Sequence, residues 1–427
     1  MLPADAPLSD WLVWLETLSP TEINLGLDRV NVVLERLAFD RAEHRLLIAG
    51  TNGKGSSVTM TAALLRAAGL RVGAYTSPHI HSYNERIVID GVPVADADIV
   101  AAFEQIERVR DGVELTYFEF GTLAAFMIFA KADLDVWVIE VGLGGRLDAT
   151  NAIDPTASLI TNVALDHCEW LGDNVETIGA EKAGVMRSGV PTVFGSDDIP
   201  ASVMKTAADK GALLLAAGAQ FHAEIGSNNQ WTWHGSEHEW SGLEPPGLVG
   251  RFQIANAAAV LTLLEASGLL SGMNPELINA VLPKLTLAGR AQKVEIAGEH
   301  WLFDVAHNPA AAGVLAETLS ESQGSGSLIA IAGVLADKDL EGLLGPLNSR
   351  VDRWIAIKAD NPRAFAAREL ARRIANFTNK PCQIAESPAA AIQLARQGLE
   401  ESDKILVTGS FFAVGPVFKQ LTIDTQS

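Results

Sequence analysis

Only two cysteines, Cys168 and Cys382, occur in the 427 residues. They exclude a disulfide framework, and nothing around either resembles a metal-ligand cluster. Positive charge is scarce too: 32 Lys and Arg stand against 52 Asp and Glu, a formal net charge of −20. That balance argues against bulk binding to nucleic acid or an anionic membrane, which need a positive surface. It leaves room for a local anion site, because backbone N–H groups and one or two cations build one within an acidic protein. The N-terminus lacks the basic start and apolar run of a signal peptide. No stretch reaches the ~18 uncharged apolar residues of a membrane span. There is no internal repeat and no long low-complexity tract. The expectation is a soluble cytoplasmic protein.

What is present suits a large globular chain. Hydrophobic residues make up 48% and charged residues 20%, and the length suggests two or three domains at ~150 residues each. Short apolar runs at Leu46–Ala49, Val72–Tyr75, Asp135–Val141, Ala157–Thr161 and Pro191–Phe194 read as buried strands. Helical periodicity lies between them, at Ser56–Ala68, Asp96–Val109 and Phe118–Lys131. Such alternation predicts a parallel sheet with helices on both faces. From Ala219 to Trp240 polar and aromatic residues with Gly turns predict a small antiparallel excursion. Helices are expected near Ile254–Glu265 and Pro275–Leu282. After Leu287-Ala-Gly-Arg290 the pattern restarts, with strands at Trp301–Val305, Leu328–Ala332, Arg353–Lys358 and Lys404–Thr408 and a helix after Pro309. The expected fold class is α/β: a P-loop-type, mostly parallel sheet domain over 1–288, then a smaller Rossmann-like α/β domain over 289–427.

The strongest local signal is Ala49-Gly-Thr-Asn-Gly-Lys-Gly-Ser-Ser57, between a predicted strand and a predicted helix. A glycine-rich turn there lets backbone N–H groups approach phosphate oxygens, and the helix N-terminus adds partial positive charge. Lys54 suits the β/γ-phosphates, and Ser56 or Ser57 suits Mg²⁺. The match to the general nucleotide motif is imperfect: Ile48 stands where a Gly is usual, and Gly55 intervenes before the serine. The bland alternative is a tight turn without a ligand. The second signal is Asp135-Val-Trp-Val-Ile-Glu-Val-Gly-Leu-Gly-Gly-Arg-Leu-Asp-Ala-Thr-Asn151. Here Glu140 ends an apolar strand at the sheet edge where ligands of open α/β sheets collect, a place for a Mg²⁺ ligand.

Other patches are weaker alone. Ser77 and His79, in Thr76-Ser-Pro-His-Ile80, read as a satisfied turn or a metal contact. His167, after a strand in Asn162-Val-Ala-Leu-Asp-His167, reads as a structural or a metal-binding imidazole. Lys182, in Glu181-Lys-Ala-Gly184, reads by itself as a surface lysine. Asp304 and His307, in Phe303-Asp-Val-Ala-His-Asn-Pro309, read as ligand contacts at a sheet edge or as a helix cap.

Taken in order, these strings resemble the folylpolyglutamate synthases of the Mur ligase superfamily, and within them the bacterial branch that is also a dihydrofolate synthase. The likeness rests on Gly50-Thr-Asn-Gly-Lys-Gly-Ser56, Thr76-Ser-Pro-His79 with Tyr83-Asn-Glu-Arg-Ile87, and Glu140-Val-Gly-Leu-Gly-Gly-Arg-Leu-Asp-Ala-Thr-Asn151. It continues through Leu165-Asp-His167, Glu181-Lys-Ala-Gly184 and Asp304-Val-Ala-His-Asn-Pro309, covering Ile23 to Ser410. Val305 is the main departure, since many relatives carry Gly there.

The resemblance implies an ATP-dependent amide ligase. ATP phosphorylates the carboxylate of dihydropteroate, and L-glutamate's amine attacks the acyl phosphate; the second activity repeats this on the γ-carboxylate of reduced folates. It implies Thr51, Asn52, Gly53, Lys54, Gly55, Ser56, Asn256, Arg290 and Asp304 as ATP contacts, and Ser77, Glu140 and His167 as Mg²⁺ ligands. A monovalent cation such as K⁺ is a further candidate. Ile23, Asn24 and Leu25, with Thr116, Tyr117, Phe118 and Glu119 and with Leu147, Asp148 and Ala149, would contact pteroate. Asp148 offers a carboxylate suited to the pterin's amino-pyrimidinone edge. His307 and Ser410 fall to the glutamate side, and Lys54, His167, Lys182 and His307 to catalysis. Lys182 would be carbamylated by CO₂, as the matching lysine commonly is in the superfamily. A cytoplasmic monomer with small-molecule partners is implied. The competing readings are a folylpolyglutamate synthase without the second activity, a cell-wall Mur ligase, and a P-loop nucleotide switch. The cell-wall reading is disfavoured by Gly55 and the Thr76–His79 string. For a guanine-specific switch, the nearest string, Thr378-Asn-Lys-Pro-Cys382, lacks the needed Asp.

Overall fold

The computed structural model describes residues 6–19, 24–227, 229–321 and 326–424. The chain forms two compact units: Met1–Pro78, Asn84–Gly247 and Phe252–Leu285 in the first, and His79–Tyr83, Leu248–Arg251 and Thr286–Ser427 in the second. The partition is thus not a single cut, since two short segments from before residue 288 group with the later unit.

The first unit is built on β1 (His44–Ala49), β2 (Val72–Tyr75), β3 (Ile87–Ile89), β4 (Val92–Pro93), β5 (Val136–Glu140), β6 (Ala157–Ile160), β7 (Pro191–Phe194) and β8 (Leu213–Ala216). They lie in the order β4-β3-β2-β5-β1-β6-β7-β8. All neighbours are parallel except β2–β3 and β3–β4. Every residue of β5 is buried, as expected of a central strand covered by helices on both faces. From β1 the chain runs to β2 on one side of the sheet, and from β5 it crosses past β1 to β6. The C-terminal ends of β5, β1 and β6 therefore meet where the order reverses, with Ile48 in register with both Glu140 and Leu159. Ligand crevices of open α/β sheets form at this point.

The helices that matter here are α1 (Asp28–Leu37), α2 (Lys54–Ala67), α3 (Tyr117–Lys131), α4 (Val175–Lys182) and α5 (Phe252–Ala266). Thr116 and Glu119 close a reciprocal capping box at the start of α3, satisfying two donors a helix start leaves open. Between β8 and α5 stands an antiparallel sheet of β9 (His222–Ile225), β10 (Trp231–His234) and β11 (Glu239–Leu243). Its Trp231 and Trp233 are buried, and the Trp233 indole donates to Thr262 Oγ1 of α5 at 3.1 Å.

The second unit holds β12 (Gln292–Ile296), β13 (Glu299–Phe303), β14 (Leu328–Ala332), β15 (Arg353–Ile357), β16 (Cys382–Ala385) and β17 (Lys404–Thr408), with α6 (Pro309–Glu321) and α7 (Phe411–Asp424). The order is β12-β13-β17-β14-β15-β16, antiparallel only between β12 and β13. Alternate residues feed two cores: Leu302, Ala330, Trp354 and Leu406 on one face, Trp301, Phe303, Ile331 and Val407 on the other. The strand expected at Trp301–Val305 ends at Phe303, because the Asp304 carboxylate takes the N–H groups of Ala291 and Ala306, both at 2.8 Å, and turns the chain. Among the described residues no helix is long and apolar enough to cross a membrane.

Candidate active site

Two glycines shape the loop between β1 and α2. Gly50 has φ +144°, and a Cβ there would lie 1.8 Å from Thr161 Oγ1; Gly53 has φ +84°, and its Cβ would lie 3.0 Å from Asn256 Oδ1. Only glycine fits either place without displacement. The end of β6 clamps the loop. Asn52 N–H donates to Asn162 Oδ1 at 3.0 Å, and Asn52 O accepts from Asn162 Nδ2 at 3.0 Å and Thr161 Oγ1 at 2.6 Å. With α2 starting at Lys54, its first N–H groups open onto this loop, the arrangement that holds phosphate. Lys54 Nζ donates to Gly50 O at 3.0 Å and Thr51 O at 3.1 Å. Thr51 and Ser56 are buried, while Asn52, Gly53 and Gly55 are half-buried.

From α5, Gln253 Nε2 donates to Ser56 Oγ at 3.2 Å, and Asn256 Nδ2 donates to Gln253 Oε1 at 3.0 Å. All three side chains are buried. Sequence reasoning singled out Ser56 and Asn256 but not Gln253. The signal available was its place one turn before Asn256 on an otherwise apolar helix.

Glu140, buried at the end of β5, accepts the Ser77 N–H at 3.1 Å. A buried carboxylate beside a hydroxyl residue at the sheet edge is a hard oxygen donor set, which fits Mg²⁺. His167 stands at φ +51° ahead of a short helix; its N–H donates to Asp166 Oδ1 at 2.8 Å and its imidazole lies 3.9 Å from that carboxylate. The surface reading of Lys182 is overturned. It is 3% exposed, and its Nζ donates to Gly50 O at 2.9 Å. Burial, and next the Lys54 charge, push its pKa down to about 7 against the opposing pull of Asp166 and Asp148.

The three segments expected to meet pteroate are linked to one another. Asn24 O accepts from Arg29 Nη2 at 2.6 Å, and the same nitrogen meets Glu119 Oε1 at 2.7 Å. Glu119 Oε2 accepts the Thr116 N–H at 2.7 Å. Beyond Leu25, Gly26 N–H donates to Leu147 O at 3.3 Å. Arg86 lies over the Tyr117 ring at 5.5 Å, and a Cβ on Gly142 would come within 2.5 Å of Phe118 Cζ. Ala149 is buried, and Ile23 lies outside the described residues. Asp148 is 3% exposed and accepts from Leu143 N–H at 2.7 Å, Thr150 N–H at 3.0 Å and Thr150 Oγ1 at 2.6 Å. Burial raises its pKa despite these bonds. The residue organises its own loop, and Glu119 likewise serves Arg29 and the α3 cap.

Within the second unit Arg290 and His307 lie beside Phe411, which follows Ser410 in the chain. The Arg290 guanidinium lies 5.4 Å from that ring's centroid and the His307 ring 5.9 Å. His307 Nδ1–H donates to Val305 O at 2.9 Å, and Ser410 Oγ donates to Gly333 O at 2.8 Å. Burial pushes the Asp304 carboxyl above the usual range, with Arg290 opposing.

Comparison with known proteins gives this geometry a family. Residues 48–264 match the Mur ligase middle domain and residues 289–411 the Mur ligase glutamate ligase domain. A dihydrofolate synthase/folylpolyglutamate synthase of Escherichia coli is 38% identical over 422 residues, 97% of this chain and 96% of that one. The structure of Escherichia coli FolC in complex with DHPP and ADP superposes with a TM-score of 0.93 at 37% identity, covering 100% of both chains. A bifunctional folylpolyglutamate synthase/dihydrofolate synthase of Yersinia pestis, complexed with AMPPNP and Mn, superposes at 0.90 with 40% identity, covering 99% of this chain and 100% of that one. The chain belongs to the Mur ligase family, in its dihydrofolate synthase/folylpolyglutamate synthase branch.

Proposed function

We infer that the chain is an ATP-dependent ligase that joins L-glutamate to 7,8-dihydropteroate and to the γ-carboxylate of reduced folates. The observation that carries this is the phosphate loop beside a buried Glu140 at the switch point of the first sheet, in a chain whose relatives are named for both activities. A carboxylate is a poor electrophile until one oxygen becomes a leaving group. ATP supplies that group by phosphorylating it, and the glutamate amine then displaces phosphate to form the amide. The first step brings two anions together, so it needs alignment and positive charge. Lys54 and the N–H groups opening α2 supply both from the protein.

Mg²⁺ suits Ser77, Glu140 and His167, and when bound it would neutralise phosphate charge. Asn256, Arg290 and Asp304 take the remainder of the nucleotide, and His307 and Ser410 the glutamate. Lys182 is proposed as a carbamate. Only neutral amine reacts with CO₂, and at a pKa of about 7 more than half of the amines are neutral at pH ~7.4, against about one in a thousand for an ordinary lysine. The carbamate would form on the Nζ that donates to Gly50 O of the phosphate loop at 2.9 Å. The reading takes the enzyme as a cytoplasmic monomer acting on small molecules. It is tested by product analysis: ATP with glutamate and either dihydropteroate or tetrahydrofolate should give dihydrofolate or tetrahydrofolyl-diglutamate. Nucleotide hydrolysis indifferent to pterin and glutamate would refute it.

A further inference from the structure

Arg29 opens α1 and belongs to none of the motifs that carry the family likeness. Its Nη2 is held by Asn24 O at 2.6 Å and by Glu119 Oε1 at 2.7 Å. Glu119 in turn is fixed by the Thr116 N–H. Its Nε–H is different: that nitrogen is buried and has no acceptor among the described residues. A buried donor of a charged group left without a partner is destabilising, because it has lost its water and gained nothing in return. A buried donor left open in a native fold calls for an explanation, and an acceptor on a ligand is one. A guanidinium is always charged and presents its N–H groups in a rigid fork. Once one edge is pinned by Glu119 and Asn24, the direction of Nε–H is set.

We propose that Arg29 is a substrate-recognition residue of the folate-side pocket, its Nε–H reserved for a hydrogen-bond acceptor on the pteroyl substrate. This rests on the folate-ligase reading above and extends it to a residue outside the family strings. The acceptor class is a ring nitrogen or carbonyl oxygen of the heteroaromatic acid, since the guanidinium's charge is already met by Glu119. Glu119 has the supporting part. It anchors the fork while capping α3, so the donor is oriented before substrate arrives.

The test is calorimetric binding of dihydropteroate and of a non-hydrolysable ATP analogue to wild type, Arg29→Lys and Glu119→Gln. Lysine keeps the charge and a bond to Glu119 but has no Nε–H. The expected result is a 10- to 100-fold weaker dihydropteroate Kd for Arg29→Lys, from the ~1.4 kcal/mol-per-decade conversion, with nucleotide affinity within twofold of wild type. Glu119→Gln, which retains the Nε–H, should weaken dihydropteroate binding by less than a third as large a factor. Unchanged dihydropteroate affinity in Arg29→Lys overturns the proposal, as does an equal loss for both ligands or an equal loss in Glu119→Gln. A wild type that binds nucleotide but not dihydropteroate would instead refute the folate-ligase reading itself.

Discussion

Lys54 and Lys182, 128 positions apart in the chain, donate to one oxygen: the Gly50 carbonyl accepts from Lys54 Nζ at 3.0 Å and from Lys182 Nζ at 2.9 Å. Two ammonium groups on one carbonyl repel, and only Lys182 is buried. Burial and the Lys54 charge together push the Lys182 pKa down to about 7. On the proposed reading the pair divides two tasks: Lys54 serves the phosphate, and Lys182, its amine made less basic by burial, reacts with CO₂.

Lys54→Ala should abolish both ligase activities while leaving the fold intact. Loss of one preorganised charge at a transferring phosphoryl group costs about 10²–10³ in kcat. The Lys54 side chain is only half-buried, so the melting temperature should move little. Steady-state assays with calorimetry check both halves; normal turnover in a folded variant would remove the assignment of the loop.

Lys182→Met should stabilise the ligand-free protein and inactivate it. The sign follows from the lowered pKa. Between about 7 and the ordinary 10.5, the unfolded chain binds a proton that the folded chain does not. Wild-type stability therefore rises with pH across this window, and the penalty of burying the ammonium is full below it. The gain in melting temperature from Lys182→Met should be several degrees at pH 6 and much smaller at pH 10. If the carbamate assignment holds, bicarbonate labelled with ¹³C gives a carbamate resonance in wild type that is absent from the variant, and short carboxylates restore part of the activity of Lys182→Ala.

Asp148→Ala should lower activity with dihydropteroate and with tetrahydrofolate by similar factors. The carboxylate ties its loop together through Leu143 and Thr150, so its removal should loosen that loop whichever substrate is used. A loss confined to dihydropteroate would point instead to the direct pterin contact expected from sequence.

Gln253→Leu should raise the KM for ATP about tenfold with a smaller change in kcat. It breaks a buried chain from Asn256 to Ser56, worth about 1–3 kcal/mol for the polar groups left unpaired. A variant with unaltered nucleotide KM would show that the chain is packing alone.

The large features were legible because their physics is local. Val136–Glu140 is a strand by apolar content, and the glycines at 50 and 53 announce a tight turn before a helix. Short or compensated features were not. The β3–β4 hairpin has three and two residues and includes Pro93, too little for a period to show. In β12, Gln292, Lys293 and Glu295 mask an edge strand whose pairing is supplied by β13. Lys182 looked exposed because charge usually is, and its burial depends on a contact 132 residues away. Gln253 and Arg29 carry no motif at all; only the fold reveals what they touch.

The central claim is that ATP activates the substrate carboxylate before the amide forms. Dihydropteroate labelled with ¹⁸O in its carboxylate, turned over with ATP and glutamate, tests it most directly. One labelled oxygen should appear in inorganic phosphate for each dihydrofolate made. Unlabelled phosphate accompanying labelled substrate and authentic dihydrofolate would contradict the account.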